Sequence, residues 1–295
     1  MTVTRYVNTR EGEEIKRGTL LFLNFKLTHN QLPENYIKLF ERLVSEDPIV
    51  HSSGNKYISI NTLFKDEILN KDGYPILLYG KIATYDILDR DAFYDKKKKE
   101  IVSIDIGEDI VANFKFIDFY FSPESHRLAF FDNQPVNPKQ VLKYFSEASS
   151  TILGEGQINV TFETDRDIIE RILKANYIES FNAVISYSNR DETGLFASLI
   201  EEKTKGDNIE RLEITAKSAK DEKMQAKPDG LINAATTLAQ SNGYVIATIT
   251  EGEKNKRTRI DTTDHPMKES FTSKLSELKG EVYTLLMSKF KPNNK

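Results

Sequence analysis

The chain has 295 residues, 39% of them hydrophobic and 29% charged, with a formal net charge of −4 and no cysteine. This length exceeds the roughly 100 to 200 residues of one domain, so we expect two modules. The lack of cysteine excludes disulfides, thiolate nucleophiles, iron–sulfur clusters and cysteine zinc sites. The charge excludes a uniformly basic nucleic-acid binder but leaves open a basic face on one module.

No stretch of the sequence approaches the roughly 18 consecutive apolar residues that cross a bilayer. Residues 1–17 are polar and lack the apolar core of a signal peptide. We therefore expect a cytoplasmic protein that does not insert into a membrane.

The first half of the chain predicts a β-rich module with packed helices. Residues 18–28 are apolar on one face and partly on the other, which indicates an interior strand. Helices are predicted after Pro33 and Pro138, because each proline precedes apolar residues at helical spacing. The strands predicted between these helices are 57–63, 74–85, 112–121 and 127–132, with an exposed loop from Asp86 to Lys99 and a hairpin turn at Ser122–Ser125.

The second half alternates predicted strands and helices. The predicted strands are 158–162, 177–187, 209–216, 244–250 and 257–261. The predicted helices are 165–175, 195–202 and one that follows Pro228 and ends at Asn242-Gly243. We predict an α+β fold with a β-rich module at residues 1–153 and an α/β module at 154–295.

A long terminal helix is predicted from about Met267 to Phe290. Five apolar residues recur at alternating four- and three-residue steps, as in a coiled-coil seam: Phe271, Leu275, Leu278, Val282 and Leu285. Two interpretations stay open, and the favoured one packs this seam on its own domain. The other makes it a dimer-forming interaction helix, although three heptads only marginally support a coiled coil.

Candidate catalytic residues are few. His126 lies beside Ser122, Ser125 and Arg127, which invites a Ser–His pair or a His–Arg phosphate contact. Adjacent strand residues point to opposite faces, so His126 and Arg127 are not expected to reach one ligand. We predict no catalytic residue.

Metal sites and cofactors receive no specific support. Asp105, Glu108 and Asp109, with the carboxylates of 86–95, would hold a cation only if the fold brought them together. The nearest restriction-nuclease pattern, Glu201-x-Lys203, falls on a predicted helix instead of a strand. The sequence lacks a phosphate-binding loop or a complete dinucleotide fingerprint, so we predict no metal and no cofactor.

Two features suggest contact with nucleic acid. The aromatic run from Phe114 to Phe121 resembles a base-stacking platform, but it occupies both faces of a strand, so a core role is favoured. Basic residues gather in the second half, and a two-stranded ribbon of cations can follow a phosphate backbone. The predicted nucleic-acid-binding residues are Lys217, Lys220, Lys254, Lys256, Arg257 and Arg259.

Four strings carry a resemblance to a known family: RGTLLFLNFK at 17–26, YISIN at 57–61, FSPESHRLAFF at 121–131 and NPKQVLKYF at 137–145. Their order resembles a bacterial domain-of-unknown-function family of about 300 residues, from about residue 17 to about residue 275. The layout, with a β-rich first half, an α/β second half and a long terminal helix, is also similar to the lambdoid phage-exclusion protein RexA. That second resemblance implies a dimeric DNA-binding sensor in abortive infection.

We therefore expect a non-catalytic, sequence-independent DNA-binding sensor of a bacterial phage-defence or phage-exclusion system. Its expected partners are double-stranded DNA, a second copy of the chain and another protein of the same system. One alternative is a protein-interaction or scaffold subunit of a defence complex. Another is a metal-dependent nuclease whose carboxylates converge only in three dimensions, for which Asp105 and Asp109 are the candidates.

Overall fold

The computed structural model describes residues 5–8, 14–107, 109–132, 136–186, 202–203, 207, 209, 211–219 and 222–290. The strands are β1 Arg5–Asn8, β2 Glu14–Leu27, β3 Val50–Ser53, β4 Lys56–Lys65, β5 Leu78–Asp86, β6 Phe93–Asp95, β7 Glu100–Val102, β8 Ala112–Ser122, β9 Arg127–Phe131, β10 Ile158–Phe162, β11 Tyr177–Ser186, β12 Arg211–Lys217, β13 Gly243–Glu251, β14 Lys256–Asp261 and β15 Lys268–Lys274. The helices are α1 Pro33–Ser45, α2 Pro138–Leu153, α3 Arg166–Leu173, α4 Leu231–Asn242 and α5 Leu278–Phe290. The predicted α+β class is confirmed.

The larger sheet is built around β2. Its strand order is β1-β2-β9-β8-β5-β4-β3, and β10 and β15 also pair with β2. All of these pairings are antiparallel. Because Leu23 pairs with both Leu128 and Phe162, β9 and β10 lie on opposite edges of β2. The 14-residue strand β2 thus pairs directly with four other strands of the first sheet, β1, β9, β10 and β15.

Helices cover both faces of this sheet at β2. Leu21, Leu23 and Phe25 belong to a core shared with α1 and α2, while Leu20 and Phe22 belong to a second core shared with α5. Side chains alternate between the two faces of a strand, so a strand covered on both sides must be apolar at consecutive positions. This explains the double-sided pattern that predicted an interior strand.

Aromatic rings dominate the core beneath α1 and α2. The ring centroid of Phe25 lies 5.5 Å from that of Phe40 and 5.2 Å from those of Phe121 and Phe145. All four side chains are fully buried. Tilted and edge-to-face ring pairs at these distances add roughly 0.5–1.5 kcal/mol each beyond their buried area. The aromatic cluster therefore joins β2, α1, β8 and α2 in one packed unit.

The second sheet has four antiparallel strands in the order β12-β11-β13-β14. One face packs against α4, and its core includes Phe181, Ala183, Val245 and Ala247 with Leu238 of the helix. The predicted hairpin at 252–261 is confirmed as β13, a turn and β14. Helix α4 lies between β12 and β13 in the sequence, yet all four strands pair antiparallel, as in an α+β fold.

Several segments of the second half pack on the first sheet. β10 and β15 both pair with β2, and Leu278, Val282 and Leu286 of α5 lie in the core against Leu20 and Phe22. The second sheet is formed by residues 177–261. The division of the chain at residues 153 and 154 stays a prediction.

The prediction of one helix from Met267 to Phe290 was wrong. Residues Lys268–Lys274 form β15, which pairs with β2, and α5 begins only at Leu278. Phe271 lies in β15 and Leu275 lies between β15 and α5, so neither belongs to the helix. The five residues therefore do not form one heptad seam. Leu278 and Val282 are buried, Leu285 is partly buried against the same core, and Leu275 is exposed. The buried side chains pack on the first sheet of the same chain, against Leu20 and Phe22, and not on the second sheet.

The loop predicted from Asp86 to Lys99 contains β6, which forms a small hairpin with β7 just after the loop. The helix predicted at 195–202 lies outside the described residues except for its last residue. The helices predicted after Pro33, Pro138 and Pro228 are confirmed as α1, α2 and α4. Asn137 and Gln140 form a capping box at the start of α2, which explains that well-marked helix start.

Candidate nucleic-acid interface

The second sheet has one face that no helix described in the structure covers. Residues directly opposite each other in antiparallel strands point to the same side. On β11 and β13, Phe181, Ala183 and Val245 point toward α4, so Ser180, Asn182 and Thr248 point away from it. We call the side away from α4 the outer face of the second sheet.

The strand register brings two predicted cations into one row on this outer face. Lys217 of β12 lies opposite Ser180 of β11, Ser180 lies opposite Thr248 of β13, and Thr248 lies opposite Arg259 of β14. Neighbouring strands are spaced about 4.8 Å apart, so the row spans about 14 Å. Lys217 and Arg259, 42 positions apart in the sequence, thus lie at the two edges of one face.

The cations of the late hairpin divide between two sides. Ile260 is buried on the helix side, so alternation along β14 places Arg259 and Arg257 toward the outer face and Lys256 toward the helix side. Lys254 lies in the turn that Asn255 closes with Gly252. Lys220 is outside the described residues. Of the predicted site, the outer face therefore brings together Lys217, Arg257 and Arg259.

Carboxylates neutralise part of this charge. On the outer face, Nε of Arg257 lies 2.8 Å from Oε2 of Glu179, while on the helix side two nitrogens of Arg171 donate to Glu251 at 3.2 and 2.7 Å. The hydrogen bond from Arg171 holds the pKa of Glu251 below its usual value. Among the residues that the structure describes, Lys217 and Arg259 form no ion pair. Those two cations are the ones available to a phosphate.

The outer face also presents neutral hydrogen-bonding groups. Nδ2 of Asn182 donates to Oγ1 of Thr215 at 2.9 Å, and this pair lies one step along the strands from the Lys217–Arg259 row. Ser180 and Thr248 are half-buried within the row itself. Hydroxyl and amide groups beside cations are common partners of phosphate oxygens. The sequence contained these residues, but only the register shows that they share a face with Lys217.

At the far end of the outer face, a cleft of about 220 Å³ separates the second sheet from β10. Lys26, Asn159, Ser186, Arg211 and Tyr244 line it. Arg211 donates from Nε and Nη2 to Oε1 of Glu213, at 3.1 and 2.6 Å. The hydrogen bond from Asn159 to Ser186 joins the two sheets beside this cleft.

His126 occupies a structural position. Its ring stacks on Tyr36 with 4.3 Å between centroids. The pKa of His126 is lowered to about 3, mainly by burial and also by the positive charges of Arg127 and Lys26. Oγ of Ser122 donates to Sδ of Met287 at 3.7 Å and accepts from the backbone N–H of Ser125. Neither contact is with His126, so Ser122 and His126 do not form a Ser–His pair.

The carboxylates of the first half do not form a metal site in the described part of the chain. No group of three or more His, Asp or Glu side chains is placed to hold a cation among those residues. Asp89 and Asp95 instead accept backbone N–H groups of their own turns. Glu108 and Glu201 fall outside the described residues, and Asp105 and Asp109 are exposed.

The aromatic run of β8 is partly buried and partly exposed. Phe119 and Phe121 are buried beneath α1, and Tyr120 is buried beneath α5. Phe114 and Phe116 are exposed, with 6.3 Å between their ring centroids. The run is therefore core at one end and surface at the other.

Comparison with known proteins supports the family resemblance. No described helix is long and apolar enough to cross a membrane. No curated protein matches the sequence.

A family model described as "Domain of unknown function (DUF4747)" matches residues 16–285, which is most of the chain. These matched residues run from Lys16, the third residue of β2, through β15 and into α5. The chain belongs to the DUF4747 family.

Proposed function

We propose that this protein is a cytoplasmic, non-catalytic nucleic-acid-binding protein that contacts the phosphate backbone through the outer face of the second sheet. The observation that carries the proposal is the row Lys217–Ser180–Thr248–Arg259, in which two cations without ion pairs among the described residues flank two hydroxyl side chains. Cations and hydroxyl groups that meet phosphates provide affinity without reading bases. Binding with little sequence preference follows.

A basic face within an acidic chain accounts for the balance of charge. The formal net charge is −4, so the remaining surface repels nucleic acid and favours one docking orientation. Arg257 adds a third cation when a phosphate competes with Glu179 for its guanidinium. Because binding releases counterions, affinity falls steeply with salt, with a slope of about −0.9 per phosphate neutralised on duplex DNA.

The test compares two charge-matched double variants. Lys217→Glu/Arg259→Glu removes the row, and Lys56→Glu/Lys71→Glu makes the same total change in lysine or arginine charge at exposed positions of the first half. Fluorescence anisotropy of a labelled DNA duplex across a salt series measures both. We expect the row variant to lose at least tenfold in affinity and to reduce the salt slope by about two. The control variant keeps wild-type affinity and slope.

Equal affinities for the row variant and the wild type would refute the proposal. The same reactions with magnesium, followed by measurement of DNA length, address the nuclease alternative. Shortened DNA in the wild type that Asp105→Ala or Asp109→Ala abolishes would replace the binding protein with an enzyme.

We propose the cellular role, a sensor in phage defence or phage exclusion, on the similarity in layout to RexA. The long terminal helix that entered this comparison is β15 followed by the 13-residue α5, so the remaining support is the order of the two halves. Phage plating on cells with and without the protein measures that role. We expect fewer plaques with the wild type and normal plating with Lys217→Glu/Arg259→Glu.

A further inference from the structure

Exposed apolar side chains concentrate in one part of the sequence, between Val44 and Phe116. Most of the described large hydrophobic residues that are exposed belong to residues 44–116. They include Ile49, Ile110 and Phe114, which are 48%, 59% and 47% exposed. Contiguous exposed apolar surface of this kind marks an interaction site in a soluble protein.

A groove of about 550 Å³ crosses this surface. The end of α1, strands β4 and β5 and the segment before β8 enclose it, with apolar walls from Ile49, Ile110 and Phe114. Asp47 and Asp109 line it as exposed carboxylates, and neither has an ion pair among the described residues. Arg90 also lines the groove but has a partner of its own. The groove is apolar inside and offers negative charge.

The negative charge of Asp47 acts on the groove wall. Tyr85 lines the groove, and its pKa is raised mainly by burial and further by the Asp47 carboxylate. Tyr144 lies behind the same wall, and Asp47 likewise contributes to its raised pKa after the larger effect of burial. A cation placed near Asp47 would therefore meet a favourable potential.

The hairpin of β6 and β7 carries complementary groups. Tyr94 lies opposite Ile101, and their side chains are 58% and 73% exposed on one side of the hairpin. Phe93 and Val102 form the half-buried pair on the other side. The turn between the strands is the run Lys96–Lys99. A two-stranded hairpin is marginally stable by itself in water, so packing against another surface would stabilise it.

We propose that the chain forms a symmetric dimer in which the β6–β7 hairpin of each copy enters the groove of the other. Tyr94 and Ile101 cover the apolar walls, while the lysines of the turn lie near Asp47 and Asp109. A two-fold axis makes the two contacts equivalent, as in an isologous interface. The inference goes beyond nucleic-acid binding and does not rest on it. It also gives the dimer a surface other than α5, whose apolar side is buried.

Charge-swapped variants test this contact directly. Lys97→Glu/Lys98→Glu changes only the hairpin, and Asp47→Lys/Asp109→Lys changes only the groove. In a homodimer of either variant, like charges meet at both contacts. In a mixed dimer, the glutamates meet the introduced lysines and the native lysines meet the native aspartates, so both contacts are complementary. All four positions are exposed. Asp47 has a left-handed φ of 41°, which costs lysine some stability, so circular dichroism first confirms that each variant folds.

Sedimentation velocity over a concentration series measures association of the full chain. We expect the wild type and the Lys56→Glu/Lys71→Glu control to dimerise. Each swapped variant alone should associate at least tenfold more weakly, and an equimolar mixture should regain wild-type affinity. A monomeric wild type, swapped variants that dimerise normally, or a mixture that stays monomeric would each overturn the proposal. DNA binding by the outer face is measured separately, so the two proposals fail independently.

Discussion

Arg127 of β9 and Glu163, which follows β10, form an ion pair with 2.6 Å between Nε and Oε1, and both side chains are only 4% exposed. Nη1 of Arg127 also donates to the backbone oxygen of Ser125 at 3.0 Å. The ring of Phe290 lies 5.3 Å from the guanidinium carbon. This pair therefore links the two strands that flank β2 with the last residue of α5.

Removing one member of this pair should destabilise the fold strongly. Glu163→Gln leaves the Arg127 guanidinium buried without its counterion, which costs about 3–5 kcal/mol. The double variant Arg127→Met/Glu163→Leu removes both charges and should recover most of that loss. Urea unfolding measures each free energy. Glu269→Gln, which breaks the partly exposed pair with Lys289, is the control and should cost less than about 1 kcal/mol.

The pH dependence of stability should contain a contribution from His126. Its pKa is about 3 in the folded protein and about 6.5 when unfolded, so the unfolded chain binds more protons between these values. Stability therefore falls as pH decreases below about 6.5, by about 2 kcal/mol at pH 5. Unfolding free energies measured from pH 5 to pH 7.5 should show this slope.

His126→Asn should remove that part of the slope, because asparagine does not titrate. Asparagine also tolerates the left-handed backbone that His126 adopts at φ 56°. The same replacement at exposed His29 is the control. A wild-type slope in His126→Asn would show that another group causes the dependence.

Replacement by alanine should lower the stability of the fold at Gly243 and raise it at Gly280. A Cβ on Gly243 would lie 1.8 Å from the backbone oxygen of Val184, so Gly243→Ala must separate β13 from β11. We expect a loss of roughly 1–3 kcal/mol. Gly280 lies in α5 with nothing within 4 Å of an added Cβ, and Gly280→Ala should stabilise by about 1 kcal/mol through helix propensity. Thermal unfolding of both variants compares them, and equal effects would contradict this.

Leu286 of α5 and Leu275, which precedes this helix, should differ in their effect on stability, and Leu275 should not affect association. Leu286 is fully buried against the first sheet, so Leu286→Ala should cost about 2–5 kcal/mol. Leu275, 44% exposed, should tolerate alanine with little change. Sedimentation should give the same dimer affinity for Leu275→Ala as for the wild type. A loss of dimer in Leu275→Ala would place this exposed side chain, which lies between β15 and α5, in the dimer interface.

Releasing Arg257 should strengthen nucleic-acid binding. Glu179→Gln removes the carboxylate that holds Arg257 at 2.8 Å and leaves the cation for a phosphate. An exposed pair of this kind contributes less than about 1 kcal/mol, so we expect a gain of about two- to fivefold. Glu269→Gln makes the same charge change away from the outer face and should leave affinity unchanged. Weaker binding by Glu179→Gln would place Arg257 outside the interface.

Local patterns were enough to predict most elements of the fold. The double-sided apolar pattern of β2, the prolines before α1, α2 and α4 and the turn between β8 and β9 each depend on neighbouring residues. Such signals arise within one element, so they can be recognised before any tertiary contact is known. The heptad-like spacing from Phe271 to Leu285 led to the wrong prediction of one long helix. A strand, a turn and a shorter helix can place apolar residues at the same sequence spacing.

The amino-acid sequence by itself determined the α+β class, the absence of cysteine chemistry and the concentration of cations in the second half. Only the tertiary structure decided which of those cations share a face, because strand register aligns Lys217 with Arg259 across 42 positions of sequence. It also decided that β15 and α5 cover the first sheet and that an apolar groove lies near Asp47 and Asp109. Register and packing depend on contacts between distant residues, and local periodicity carries no information about which distant residues meet.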